Sequence, residues 1–128
     1  MSMKKVVRSD GAPAAIGPYS QAISCGNMVF CSGQLGLDPA TGLLAGGSAS
    51  EQVKRCLLNL EAVLSVAGLS MSDVVKTTLY LVDMGEFKEV NESYAAFFEE
   101  SPPARSTVGV SALPLGAKVE VEAIASRR

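Results

Sequence analysis

The stretch Ser48–Val82, SASEQVKRCLLNLEAVLSVAGLSMSDVVKTTLYLV, decides the fold class because a helical pattern gives way within it to a strand pattern. The apolar residues that recur at helical spacing are Val53, Cys56, Leu57, Leu60, Val63, Leu64 and Ala67. Ser48 and Glu51 have the spacing of a capping box, and Gly68 is a natural stop at the carboxyl end. The segment Val74–Val82 is rich in β-forming residues. We predict a first helix between Ser48 and Gly68 and then a strand.

Three strands are predicted upstream of this helix. Met3–Arg8 is typical of a short strand, and Ser9–Pro18 is rich in Gly, Ala and Pro, which favours a loop. Tyr19–Ser24 and Met28–Gln34 follow as strands on either side of the turn signal Gly26–Asn27. The last two strands therefore form a predicted hairpin.

A second helix is predicted after the central strand. Asp83 and Glu86 again have capping-box spacing, and the pattern continues to about Glu99 before Pro102–Pro103 stops it. The apolar side of this helix contains Phe87, Val90, Tyr94, Phe97 and Phe98. Two further strands, Ser106–Val110 and Lys118–Ala125, flank a turn at Leu113–Gly116.

The resulting order, β-β-β-α-β-α-β-β, predicts an α+β fold: one domain over residues 1–128, with a mixed sheet and two helices packed on one face. The helices cover only one face of such a sheet. The other face needs a partner, and we predict a homo-oligomer.

Composition excludes several classes of protein. Of the 128 residues, 48% are hydrophobic, which argues against a disordered chain, and no apolar run approaches the roughly 20 residues of a membrane helix. The formal net charge is −2, aromatic residues make up 5% and Trp is absent, so a nucleic-acid surface is disfavoured. The first eight residues show no apolar region typical of a secretory signal. We expect a soluble, cytoplasmic protein without a membrane partner.

The absence of histidine narrows the possible chemistry. It removes Ser-His and Cys-His nucleophilic catalysis and the usual zinc and non-haem iron ligand sets. The three cysteines, Cys25, Cys31 and Cys56, have no CxxC spacing and are interpreted as buried reduced thiols. No metal site and no nucleotide-binding motif is expected. A general acid or base must be a carboxylate, Tyr, Lys, Cys or a bound water.

Two charged positions are candidates for the chemistry. Arg105, just before a predicted strand, suits bidentate binding of a planar carboxylate, although a solvated surface Arg in a loop is the alternative. Glu120 and Glu122 point to one face of the last strand, because side chains alternate along a strand. That face is either an ordinary polar surface or, if a neighbouring subunit covers it, the place for a partly desolvated base.

Three further positions are weaker candidates. Tyr19 lies beside the Gly17–Pro18 turn and can donate a hydrogen bond, or it is a half-buried packing residue. Asn91 lies on or beside the buried stripe of the second helix, where a structural amide is the alternative. Gly33 falls inside a strand, which indicates either the close approach of a ligand or backbone, or a bulge.

Six short segments then occur in one fixed order along the chain. They are Gly17–Ala22 (GPYSQA), Cys31–Gln34 (CSGQ), Val75–Thr78 (VKTT), Val90–Asn91 (VN), Pro103–Ser106 (PARS) and Val119–Ala125 (VEVEAIA). In this order they closely resemble the Rid family, also called the YjgF or L-PSP family, over about residues 12–128. The resemblance is to the deaminating branch of that family. It implies a chorismate-mutase-like fold and a homotrimer with a central barrel and active sites between subunits.

The resemblance also implies roles for single residues. Arg105 matches the Arg that binds the substrate carboxylate, Glu120 the carboxylate that activates water, and Tyr19 a residue lining the cleft. Gly33 and Asn91 match lesser pocket positions. Residue 107, often Cys in the family, is Thr107 here; contact there is largely through backbone, so binding is expected to survive without a thiol.

The function that follows is hydrolysis of 2-aminoacrylate and other 2-imino acids to 2-keto acids and ammonia, without metal or cofactor. Such an activity would remove reactive enamines before they damage other enzymes. Two alternatives stay open: an endoribonuclease that inhibits translation, a label often given to this family, and a non-catalytic binder of small ligands.

Overall fold

The computed structural model describes residues 3–128, in which six strands form one sheet. The strands are β1 (Lys4–Val7), β2 (Ala22–Cys25), β3 (Met28–Leu35), β4 (Val74–Leu81), β5 (Ala104–Gly109) and β6 (Val119–Ser126), and the α-helices are α1 (Ala49–Val66) and α2 (Phe87–Ala95). The strand order is β1-β2-β3-β6-β4-β5, and every pairing is antiparallel except the parallel pair β4–β5. The predicted mixed sheet with two helices is confirmed.

Both helices lie on one face of this sheet. Along β6 the side chains of Val119, Val121, Ala123 and Ala125 are buried beneath the helices. Helix α1 packs directly on β3 and β6, and α2 packs against α1. We call the other side the open face; the side chains that it presents from the central strands include Phe30, Lys76, Thr78, Tyr80, Glu120, Glu122 and Ile124.

Helix α1 begins and ends where the sequence predicts. The Ser48 side chain accepts a hydrogen bond from the Glu51 amide and Glu51 reaches back to Ser48, which completes the capping box. Gly68 has a φ of 78°, a left-handed conformation that terminates the helix at low cost. Leu57, Leu60 and Leu64 are almost completely buried against the sheet; burial of each such side chain stabilises the fold by about 1.5–3 kcal/mol.

Two buried amides on α1 fix the loops that lead to and from the sheet. Gln52 donates to the Gly46 carbonyl (3.0 Å) and accepts from the Lys118 amide (2.8 Å). Asn59 donates to the carbonyls of Leu35 (3.2 Å) and Leu37 (2.9 Å). The helix face therefore combines apolar packing with polar anchors for three separate chain segments.

Two predicted boundaries are wrong. The sequence predicts the second strand from Tyr19 but β2 begins at Ala22, because the Tyr19 amide donates to the Gly17 carbonyl (2.9 Å) in a tight turn. The pattern of the second helix extends to Glu99 but α2 ends at Ala95. After it, the amides of Phe97 and Phe98 donate to the carbonyls three residues earlier. These tighter hydrogen bonds replace the α-helical pattern and end the helix.

The capping box predicted at Asp83 and Glu86 does not form. Asp83 caps a short 3-10 turn by accepting from the Gly85 amide (2.8 Å). Glu86 instead accepts from the amide of Ala49 at the start of α1 (3.1 Å), and so ties the two helices together.

A further correction concerns β5, which starts at Ala104 and brings Arg105 into the sheet instead of leaving it in a preceding loop. No helix within residues 3–128 is long and apolar enough to cross a membrane.

Candidate functional site

A cleft of about 560 Å³ opens beside Glu120, and we call it the Glu120 cleft. Its walls come from the loop before β2, from β3 and its continuation, and from the turn before β6. The lining residues used below are Ile16, Tyr19, Gly33, Leu37, Leu115 and Glu120. The fold therefore brings together three of the residues singled out from the sequence: Tyr19, Gly33 and Glu120.

Gly33 gives the Glu120 carboxylate its space. The pairing of β3 with β6 shifts register between Cys31 and Gln34, so Gly33 lies in a bulge. A Cβ atom at residue 33 would lie 2.8 Å from Cδ of Glu120 and 2.9 Å from its Oε2. The glycine thus marks both a bulge and a close approach, and the group that approaches is a carboxylate.

The Glu120 carboxylate is half-buried and has no hydrogen-bond or ion-pair partner in residues 3–128. Burial, with a smaller contribution from the negative charge of Glu122, raises the pKa of Glu120 above its ordinary value. Among the described residues, none donates a hydrogen bond to it or forms an ion pair with it. A desolvated carboxylate with free lone pairs is suited to accept a proton from a bound water.

The neighbouring acid has a partner of its own. The Tyr80 hydroxyl of β4 donates to the Glu122 carboxylate, and this bond is the main reason that the pKa of Tyr80 is raised. Tyr80 also lies opposite Glu120 in the β4–β6 register. Of the two acids, Glu122 is therefore held by the sheet and Glu120 is free.

Arg105 occupies a second pocket, of about 410 Å³, which we call the Arg105 pocket. Its guanidinium carbon lies 4.8 Å from the ring centroid of Tyr94 and 5.6 Å from that of Phe87. Both rings belong to α2, so the helix supplies a platform on which the planar guanidinium stacks. No acidic side chain within residues 3–128 pairs with Arg105, which leaves its donors available to an incoming carboxylate.

The remaining predicted positions divide between the two pockets. Asn91 lines the Arg105 pocket, and its side chain makes no hydrogen bond to any described residue, so it is not the structural amide that was the alternative. Thr107 follows Arg105 by two residues on the same side of β5, but it lines neither cleft. Tyr19 is exposed, and its hydroxyl accepts weakly from the Ile16 amide (3.4 Å).

Arg105 and Glu120 lie on opposite faces of the sheet. Arg105 pairs with Thr77, a buried residue whose hydroxyl bonds to Tyr94 of α2 (2.7 Å), so its side chain lies on the helix side. Glu120 pairs with Tyr80 on the open face. Within one copy of the chain, the two charged groups cannot act on the same small molecule.

The aromatic platform is not evident from the sequence, in which Phe87 and Tyr94 belong only to the apolar side of a helix. Their spacing of seven residues, two helical turns, places both rings on one side of α2. That signal is present in the sequence, but nothing there indicates that Arg105 lies against them. The Tyr94 ring also stacks with that of Phe98, at 4.8 Å between centroids.

The cysteines are only partly as predicted. Cys31 and Cys56 are buried, but Cys25 is exposed. Burial raises the pKa of Cys31 to about 12 and that of Cys56 well above its ordinary value, which disfavours thiolate chemistry at both. In the described part of the chain, no group of three or more Cys, Asp or Glu side chains is arranged to hold a metal ion.

The fold and the sequence are both similar to those of known proteins. The sequence profile described as Endoribonuclease L-PSP matches residues 9–127. A mouse protein named 2-iminobutanoate/2-iminopropanoate deaminase is 49% identical over 96% of this chain and 91% of its own. A putative endoribonuclease from Thermotoga maritima has a TM-score of 0.95 and 48% identity, covering 98% of this chain and 99% of its own.

A fourth comparison involves a bound ligand. The crystal structure of Escherichia coli TdcF with bound serine has a TM-score of 0.93 and 40% identity, and covers 97% of this chain and 99% of its own. These matches extend over almost the whole sequence and far exceed the level at which fold alone is shared. The chain belongs to the Endoribonuclease L-PSP family, the Rid family that its ordered motifs indicate.

Proposed function

We propose that this protein is a 2-imino acid deaminase that acts as a homotrimer, with each active site shared by two copies. The observation that carries the proposal is the pair of complementary half-sites. Within residues 3–128, the guanidinium of the first has no carboxylate partner and lies over an aromatic platform, and the desolvated carboxylate of the second has no hydrogen-bond donor. The first suits the carboxylate of an imino acid and the second suits its attacking water.

The proposed reaction proceeds in two steps. Arg105 of one copy binds the substrate carboxylate and so fixes the imine carbon beside Glu120 of a neighbouring copy. Glu120 accepts a proton from water as the water oxygen attacks the carbon of the protonated imine. Protonated Glu120 then returns its proton to the nitrogen of the carbinolamine. The C–N bond breaks as the hydroxyl group loses its proton to solvent, and ammonia and a 2-keto acid leave with Glu120 ionised again.

These residues can supply the rate enhancement that the reaction requires. A protonated imine is already a strong electrophile, so the step needs neither a Lewis acid nor a Schiff-base lysine. Positioning and one general base, which contributes on the order of 10²–10⁴-fold, are enough. The raised pKa of Glu120 makes it a stronger base than an ordinary surface carboxylate.

The shared site explains why each half is incomplete. The open face carries exposed Phe30 and the half-buried Ile124, an apolar surface that a second copy would cover. A chorismate-mutase-like trimer, with the open faces around a central barrel, would bring the Glu120 cleft of one copy against the Arg105 pocket of the next. In the proposed site, Tyr19 and Gly33 line the first half, Asn91 the second, and Thr107 contributes through its backbone.

The names of the relatives support the substrate class. The mouse relative is named for 2-iminobutanoate and 2-iminopropanoate, and TdcF binds serine, a molecule with the amino acid skeleton of such imines. We propose 2-aminoacrylate and related 2-imino acids as substrates, with removal of these reactive compounds in the cytoplasm as the biological role.

The test is release of ammonia and keto acid from 2-aminoacrylate generated enzymatically, with wild type compared with Arg105→Ala and Glu120→Ala. Acceleration by the wild type that both substitutions reduce by at least about 100-fold supports the proposal. Wild-type-like activity of either variant contradicts the role of that residue.

The wild type and the two variants also distinguish between the alternative functions. The family description and the name of the Thermotoga neighbour favour testing RNA cleavage. If the wild type cleaves RNA, Glu120→Ala does not, and the wild type leaves the rate of imine hydrolysis unchanged, the protein is a ribonuclease instead. Binding of serine that needs Arg105 but not Glu120, without turnover of any imine, would establish a non-catalytic binder.

A further inference from the structure

We infer that Leu115 is a specificity-determining residue of the Glu120 cleft, where it forms an apolar wall for the side chain of the substrate. The inference rests on the proposed function and adds to it a preference: 2-imino acids with apolar side chains larger than that of alanine are favoured. The side chain of such a substrate would lie against Leu115, and the reacting carbon beside Glu120.

The backbone of Leu115 is unusual. Its φ and ψ are 60° and 22°, a left-handed conformation, and it is the only residue other than glycine with a positive φ among residues 3–128. Leucine adopts this conformation at a cost that Gly or Asn largely avoids. Backbone strain of this kind persists where the surrounding structure enforces it, and it is concentrated at functional sites.

Packing within the chain does not account for a leucine at this position. Leu115 is 71% exposed, whereas Leu57, Leu79 and Leu81 are fully buried. It therefore contributes little to the core of its own copy. Its turn, Pro114–Gly116, instead forms part of the wall of the Glu120 cleft.

A second exposed apolar residue forms part of the same cleft. Ile16, 88% exposed, lies in the loop before β2, where its amide donates to the Tyr19 hydroxyl. Leu35 and Leu37 line the cleft from β3 and its continuation. Apolar residues from three separate segments thus line the cleft that contains the Glu120 carboxylate.

The chemistry of this lining disfavours acidic substrate side chains. No Lys or Arg is among the described residues that line the Glu120 cleft, so an acidic substrate side chain would meet Glu120 without a compensating charge. A cleft of about 560 Å³ lies within the range of roughly 300–1,000 Å³ that holds drug-sized ligands, so it has room for side chains larger than methyl.

The test compares two substrates, the imines of L-leucine and L-alanine, each generated in place by an amino acid oxidase. Leu115→Asn and Leu115→Gly remove the apolar wall and suit the left-handed backbone. We expect both to lower the leucine-to-alanine ratio of kcat/KM by about fivefold or more, because the wall is lost for the larger side chain and matters less for a methyl group.

Two control variants distinguish the loss of the apolar wall from a general disturbance of the protein. Leu115→Met keeps an apolar side chain and should keep the wild-type ratio. Leu43→Asn changes an equally exposed leucine that lines neither the Glu120 cleft nor the Arg105 pocket, and it should also leave the ratio unchanged. The assembly mass of every variant is measured by light scattering.

Three outcomes overturn the inference. The first is an unchanged ratio in Leu115→Asn and Leu115→Gly. The second is an equal loss on both substrates with a lowered assembly mass, which would assign Leu115 to subunit contact. The third is a wild type that accelerates hydrolysis of neither imine, which overturns the proposed function as well and so differs from a failure of this inference alone.

Discussion

At the scale of the residue, the contact between Gly33 and Glu120 is the feature most directly open to test. Gly33→Ala would place a methyl group 2.8 Å from Glu120 Cδ, and the Glu120 side chain can move away because it has no partner. We expect little loss of stability but a loss of at least about tenfold in kcat/KM, because small displacements of a catalytic group are costly. Thermal unfolding and imine hydrolysis measure the two effects.

Gly47→Ala is the matched control for this substitution, since a methyl group on Gly47 would meet no other atom within 4 Å and the φ of this residue is not left-handed. It should leave activity unchanged. An active Gly33→Ala protein with wild-type kinetics would show that the position of the Glu120 carboxylate does not matter for the reaction.

The raised pKa of Glu120 predicts a dependence of stability on pH. Because the folded state disfavours the ionised form, ionisation costs stability at pH values above the ordinary pKa of a glutamic acid, and this cost disappears at acid pH, where the group is neutral in both states. Glu120→Gln should therefore raise the Tm at pH 7, with a difference that shrinks as the pH falls toward about 4. A difference that is constant with pH, or of opposite sign, would contradict the raised pKa.

The same physics predicts the pH dependence of activity. Removing the like charge with Glu122→Gln lowers the pKa of Glu120, so the acid limb of the kcat/KM profile should move to lower pH. Tyr80 faces both acids from β4, and because its pKa is raised further from an ordinary value near 10, it does not contribute to an acid limb. If the acid limb stays at the same pH in Glu122→Gln, the limb reports a group other than Glu120.

At the scale of the element, α1 is both a core helix and an anchor for the cleft. Its buried Asn59 satisfies two carbonyls at the end of β3, where the chain enters the lining of the Glu120 cleft. Asn59→Ala leaves both carbonyls without this donor. We expect a loss of about 1–3 kcal/mol in the free energy of unfolding, measured with urea at one fixed protein concentration.

The control for Asn59→Ala is Glu61→Ala on the exposed side of the same helix, which should change stability by less than about 0.5 kcal/mol. Equal effects of the two substitutions would show that the amide anchor contributes nothing beyond helix propensity.

At the scale of the whole molecule, the opposite orientation of Arg105 and Glu120 predicts complementation between inactive variants. If each site takes its Arg from one copy and its Glu from the next, then Arg105→Ala and Glu120→Ala subunits refolded together in equal amounts should recover about one quarter of wild-type activity. Half of the Arg donors and half of the Glu donors are intact, and both must be intact at one site. Failure of correctly assembled mixed trimers to recover activity would contradict the shared site.

Much of the fold follows from local patterns. The capping box at Ser48, the apolar stripe of α1 and the stop at Gly68 are local interactions between residues a few positions apart, and the structure confirms all of them. The errors occur where a nonlocal bond competes with a local one or where the chain tightens locally. The side chain of Glu86 accepts from the Ala49 amide at the start of α1 rather than from Asp83, and the amides of Phe97 and Phe98 donate to carbonyls three residues earlier.

The candidate site is less accessible to prediction. The ordered motifs predict site roles for Tyr19, Gly33, Asn91, Arg105 and Glu120, and the structure places these residues in two pockets, while Thr107 lines neither. The aromatic platform under Arg105 and the strained turn at Leu115 do not follow from the motifs, because each depends on which segments meet in space.

The element types, the family motifs and the absence of histidine chemistry can be read from the amino-acid sequence, because they depend on residue identity and on periodicity over a few residues. The three-dimensional arrangement was needed to establish that Arg105 and Glu120 lie on opposite faces, that Gly33 borders a carboxylate, and that Glu120 is desolvated. These properties depend on strand register and on the direction of side chains across the sheet. Both are fixed by hydrogen bonds between residues that are distant in the chain.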